Sequence, residues 1–103
     1  MATLIFDGID QGVGGAVANA VGERLSVLAD KAQILVITHS PQVAARGQSH
    51  WLINKRSNGQ DDTVTTAVTP LKDDQRREEI ARMLAGAEVT KEARAAADNL
   101  LQW

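Results

Sequence analysis

The chain contains no cysteine, so it has no disulfide framework and no thiolate metal site. It is also poor in aromatics, with one Phe, two Trp and no Tyr among its 103 residues, and it has only two prolines. No apolar run approaches the ~20 residues of a membrane-spanning helix. No basic stretch followed by an apolar core opens the sequence, so no signal peptide is read and a cytoplasmic address follows by default. Like charges form no blocks. Eleven Lys and Arg are set against thirteen Asp and Glu, a net charge of −2, which does not mark an autonomous nucleic-acid binder. Hydrophobic residues make up 44% and charged residues 23%, ordinary values for a globular protein of one domain.

Two short apolar runs dominate what is present. Thr3-Leu-Ile-Phe-Asp7 and Gln33-Ile-Leu-Val-Ile-Thr38 each end abruptly in polar groups. A continuous apolar run without alternation predicts a strand buried on both faces, as in a parallel sheet covered by helices. Gly12, Gly14 and Gly15 follow the first run as a flexible turn, and their expected use is close approach of another backbone. A helix is predicted over 16–31, with Val17, Val21, Leu25 and Leu28 on its apolar face. Ser40 and Pro41 suit the cap and first turn of a short helix over 41–46, ended by Gly47. Segments 49–56 and 62–69 alternate and flank Ser57-Asn-Gly-Gln60, a hairpin signal. Pro70 stops the second arm. Asp73 or Asp74 is the expected cap of a helix running to Leu84, closed by Gly86. Thr90 caps a last helix from Lys91 to Gln102. The order β-α-β-α-β-β-α-α predicts an α/β fold in which a parallel pair precedes a hairpin and two C-terminal helices. One helix is little cover for two buried strands, so the chain is expected to be part of a larger domain.

Asp7 and His39 fall where ligands bind in open α/β sheets, at the carboxyl ends of the strands. Taken singly, Asp7 reads as a turn former, His39 as a structural histidine, and Thr38 and Ser40 as loop formers. Together, beside a glycine-rich turn, a carboxylate and an imidazole suit Mg²⁺ and a phosphate. The turn Gly12-Val-Gly-Gly15 lacks the G-x-x-x-x-G-K-[ST] pattern of a phosphate loop. Trp51 lies on an alternating strand and is expected to be half-buried packing rather than a base-stacking platform, the use that Trp103 also invites. Arg76, Arg77, Arg82, Lys91 and Arg94 alternate with acids, as on solvated helix faces.

Three segments carry a resemblance. Thr3-Leu-Ile-Phe-Asp-Gly-Ile-Asp-Gln-Gly-Val-Gly-Gly15 resembles the Walker B and D-loop region of the RecN family, SMC-like and ABC-type ATPases of bacterial double-strand-break repair. Ile37-Thr-His-Ser-Pro-Gln-Val-Ala44 is similar to that family's switch-histidine segment, and Arg77-Glu-Glu-Ile-Ala-Arg-Met-Leu-Ala-Gly-Ala-Glu-Val-Thr90 to its C-terminal helical segment. The resemblance spans nearly the whole chain and implies the C-terminal portion of an ABC/SMC-type P-loop head, read as one domain over 1–103. It implies ATP and Mg²⁺ as cofactors, bound with the N-terminal half of the same head as partner. Asp7 would be the Walker B aspartate that orders Mg²⁺, and His39 would reach the γ-phosphate. Asp10 to Gly15, with Asp10 and Gly14 at the nucleotide, would meet the opposite head of an ATP-sandwiched dimer. DNA would be engaged only through the parent protein, on the bacterial nucleoid. Two departures stand out: Gly8 occupies the position of the family's catalytic glutamate, and Gly14 that of a common serine. Without a Walker A lysine or that glutamate, the chain is expected not to hydrolyse ATP alone. The alternative reading is a non-catalytic oligomerisation module derived from an ATPase head.

Overall fold

The computed structural model describes residues 2–57 and 64–102. Its elements are β1 (Thr3–Asp7), α1 (Gly15–Leu28), β2 (Gln33–Ile37), α2 (Pro41–Ala44), β3 (Trp51–Ser57), β4 (Val64–Pro70), α3 (Asp73–Ala85) and α4 (Lys91–Leu101). The order is the one the sequence predicts. β1 and β2 pair in parallel, with Thr3 opposite Gln33 and Asp7 opposite Ile37. β3 and β4 form a separate antiparallel ribbon, with Trp51 opposite Pro70 and Ser57 opposite Val64. The Asn58-Gly59 turn pair lies outside the described residues.

The parallel strands are not buried on both faces. Phe6, Ile34 and Val36 pack against the α1–α2 core, while Ile5 is 67% exposed and Ile37 45% exposed. Successive strand residues point to opposite faces. With α1 over one face, the row Ile5, Leu35 and Ile37 is left open. The buried stripe of α1 keeps Val21 and Leu25 from the expected face but differs at its ends. Ala18, Gly22 and Leu25 are buried, whereas Val17 and Leu28 stand outward.

Gly22 explains this choice of stripe. A Cβ built there would lie 2.9 Å from Arg46 Cγ and 3.1 Å from the Gln42 carbonyl, so α2 crosses α1 where no side chain intervenes. The close approach expected at the Gly12–Gly15 turn is therefore made at Gly22. Gly12 and Gly14 face open space.

Local caps account for the remaining boundaries. Ser40 Oγ accepts from the Val43 N–H at 3.4 Å, and Thr90 Oγ1 accepts from Ala93 N–H at 3.1 Å. At the start of α3 the cap position is Lys72, not Asp73 or Asp74. There the Gln75 side chain reaches back to the Lys72 N–H at 3.0 Å, and both aspartates lie in the first turn, where the helix dipole favours them. Gly86, at φ 81°, closes the helix in a conformation that favours glycine.

Two cores result. One joins Ala18, Leu25 and Val43; the other joins Ile80, Ala81, Ala93, Ala97 and Leu101 across α3 and α4. Ala44 and Ala45 pack against the second core, so α2 touches both. Trp51 is 58% exposed, not half-buried, and Ile53 and Val68 share its open ribbon face. Trp103 lies outside the described residues.

Candidate functional site

The parallel register fixes the site. Asp7 ends β1 opposite Ile37, the end of β2, and His39 follows two residues later. Both strand ends therefore emerge on the same rim. There Asp7, Gly8, Asp10, Gln11, Thr38 and His39 share the lining of an open pocket of about 350 Å³. Asp7 and His39 are exposed.

Gly8 leaves the strand at φ 73°, a left-handed conformation that disfavours side chains, and its N–H reaches the Ile37 carbonyl at 3.5 Å. The turn continues with Gln11 N–H donating to the Gly8 carbonyl at 3.2 Å and a second left-handed glycine, Gly12, at φ 76°. Gly14 is not in the pocket lining.

Asp10 is tied down within the rim. It is 9% exposed, and the Thr38 hydroxyl donates to its carboxylate. The Thr38 oxygen in turn accepts from the Ser40 N–H at 2.9 Å. A relay of Ser40 N–H, Thr38 hydroxyl and Asp10 carboxylate thus ties the turn after β1 to the segment carrying His39. Ser40 also donates to Gln42 Oε1 at 3.1 Å. Thr38 and Ser40 are more than loop formers, and only the geometry reveals their tie to Asp10.

Among the described residues, no group of three or more His, Asp or Glu side chains gathers as a metal cage. A single exposed carboxylate nevertheless suits Mg²⁺, which keeps several waters and takes one or two carboxylates beside substrate phosphates. Asp7 fits that donor set, and His39 stands across the same pocket.

Arg76 departs most from its surface reading. It is 9% exposed and donates to the carbonyls of Ala44, Ala45 and Gly47. Its charge invites the solvated-face assignment, and only the tertiary packing of α3 on α2 overrides it. His50 sits beside it, and burial foremost, then the Arg76 charge, hold its imidazole below the usual value, while Glu79 pulls the other way. The other arginines of α3 and α4 pair on or near the surface, Arg77 with Asp98 at 2.5 Å, Arg94 with Glu78 at 2.7 Å and Arg82 with Glu79.

The architecture has a counterpart of known class. A solved structure from work on ATP-driven dimerization and DNA stimulated activation of SMC ATPases superposes with a TM-score of 0.69. The match covers 85% of this chain and 51% of that one at 16% identity, so the fold is that of an ABC/SMC-type ATPase head segment. No protein-family model matches the chain. Its sequence is 46% identical over 100 residues to the DNA repair protein RecN of Xylella fastidiosa strain 9a5c and 44% identical over 101 residues to that of Halalkalibacterium halodurans. It is 48% identical over 84 residues to RecN of Deinococcus radiodurans. These matches cover 97%, 98% and 82% of this chain. The chain belongs to the RecN family and corresponds to a C-terminal segment of its head. It spans about a fifth or less of these relatives, 18%, 18% and 14% of their lengths. No helix among the described residues is long and apolar enough to cross a membrane.

Proposed function

We propose that this chain supplies the Walker B and switch-histidine side of a RecN-like ATPase head that acts in DNA double-strand-break repair and recombination. In this reading residues 1–103 form one unit of the head, in the bacterial cytoplasm, and reach the nucleoid through the parent protein. Asp7 orders Mg²⁺ and His39 contacts the γ-phosphate of ATP. The N-terminal half of the head supplies the phosphate-cradling loop and its lysine. The observation that carries the proposal is the meeting of Asp7, Gly8 and His39 in one pocket at the carboxyl ends of two parallel strands, in a chain with RecN relatives. Phosphoryl transfer depends on positioning and charge stabilisation from several parts at once. Bound Mg²⁺ would neutralise charge on the phosphates; Asp7 would hold it, and His39 would orient the terminal phosphate.

In this reading Asp10 lines the nucleotide pocket and opens the loop to Gly15 that meets the opposite head, and it has a structural role besides. Its buried carboxylate anchors Thr38 and so holds the two rim segments in register. Contact with an opposite head rests on Asp10 to Gly15, of which Gln11 to Gly15 are exposed.

The test combines the chain with an N-terminal RecN head segment and measures Mg-ATP binding. Binding should be lost in Asp7→Ala and weakened in His39→Ala, and the 103-residue chain by itself should show no ATP turnover. Binding that is indifferent to both substitutions would overturn the proposal. A second reading, a non-catalytic assembly module, is favoured by the open Ile5–Leu35–Ile37 row and by Gly8 in place of a water-positioning acid. It predicts stable association with the head segment whether or not Mg-ATP is present.

A further inference from the structure

We infer that Arg76 is a positioning residue: from α3 it holds the far end of α2 and thereby fixes where His39 stands in the pocket. This rests on the role proposed for His39, but its test needs no nucleotide. α2 is only four residues long. Isolated helices shorter than ~12–15 residues are marginal in water, so its geometry must be imposed from outside. At its start Ser40 caps the Val43 N–H, and Ser40 adjoins His39. At its end the Ala44 carbonyl accepts from the Gly47 N–H at 3.3 Å, and Arg76 binds this carbonyl and the two that follow at Ala45 and Gly47.

The guanidinium donates to the Ala44 carbonyl at 3.2 Å, to the Ala45 carbonyl at 3.3 Å and to the Gly47 carbonyl. A cation at a helix C-terminus also meets the negative end of its dipole. The same turn is where the two cores meet, Val43 in one and Ala44 and Ala45 against the other. Only one helical turn, about 5.4 Å, separates Ser40 from Ala44. Displacement at the Arg76 end is therefore passed to the His39 end with little to absorb it. Arg76 Nε has no hydrogen-bond partner among the described residues, so the side chain is committed to α2 through its terminal nitrogen.

The experiment uses the 103-residue chain in solution, following backbone amide exchange and the His39 ring signal by NMR, the latter assigned against His39→Ala. In Arg76→Gln, exchange at Ala44, Ala45 and Arg46 should quicken about tenfold or more, as expected for loss of a charge-assisted hydrogen bond. The His39 signal should shift while Ala81 and Ala97 keep their protection. Arg76→Lys, whose side chain is one bond shorter and so brings its ammonium less fully to these carbonyls, should move the His39 signal along the same direction by a smaller amount. Arg94→Gln breaks the Glu78 pair across α3 and α4 and should leave His39 unmoved. If Arg76→Gln does not fold, Arg76→Lys decides alone. A His39 signal unchanged in folded Arg76 variants, even with faster exchange in α2, overturns the inference and leaves Arg76 a packing residue. Failure of the His39→Ala binding test would instead remove the nucleotide role and leave the mechanical link intact.

Discussion

His50 and Gly8 show how single residues answer to their surroundings. Burial, aided by the Arg76 charge, lowers the His50 pKa from the ordinary 6.5, so folding favours the neutral imidazole. As pH falls, the unfolded chain takes up that proton first. The stability contributed is complete above about 6.5 and is lost as pH drops through the lower folded value. Urea midpoints should therefore fall between pH 7 and 5, and His50→Gln should flatten that dependence; an equally steep profile in the variant would assign it to other groups. Gly8 carries the second residue-scale prediction. Its φ of 73° costs a side chain roughly 1–2 kcal/mol, so Gly8→Glu should destabilise the isolated chain by about that much. In a head rebuilt with its other half, the same change should raise hydrolysis, by about 10²–10⁴-fold if glutamate positions the water. Equal turnover with glycine or glutamate would move the water-positioning site elsewhere. The Asp7 and His39 positions were legible because strand ends are visible in the pattern of apolar runs. The Asp10–Thr38 tie and the burial of Arg76 were not, because both depend on which turn or helix lies opposite, and no periodicity records that.

At the scale of elements, the order of strands and helices was readable from caps and glycines, but the faces were not. A short run such as Leu4-Ile-Phe looks the same whether one face or two are covered, and here α1 covers one. The apolar face of α1 holds at Val21 and Leu25 and shifts elsewhere for a related reason: close crossing of α2 selects Gly22 and Ala18 over the larger Val17. The crossing is tight enough to test. Gly22→Ala would bring a methyl within 3.1 Å of the Gln42 carbonyl and 3.4 Å of Val43 Cα, forcing α2 outward. Overpacking of this kind typically costs about 1–3 kcal/mol, against the small gain that alanine brings to a helix. Chemical denaturation should show a net loss, and a stabilised variant would mean that the two helices separate freely.

The whole molecule leaves the Ile5, Leu35 and Ile37 row open, together with a ribbon face bearing Trp51, Ile53 and Val68. The C-terminal helix does not fold back over the sheet, since Leu101 is buried against α3 instead. Exposed apolar rows and unpaired strand edges recruit other chains. The purified chain should therefore self-associate, giving a dimer or larger mass by light scattering, and Leu35→Glu should shift it toward monomer. A monodisperse wild-type monomer at high micromolar concentration would refute this. The open row also has a chemical consequence. Asp7 shares the strand parity of Ile5, so it belongs to the same face. Whatever settles on that face also approaches the Asp7 carboxylate, and a carboxylate that loses water gains more from a neighbouring cation. If Asp7 holds Mg²⁺ as proposed, docking on that face and ion uptake should be linked, each changing the affinity for the other by the same factor, which light scattering with and without Mg²⁺ would check.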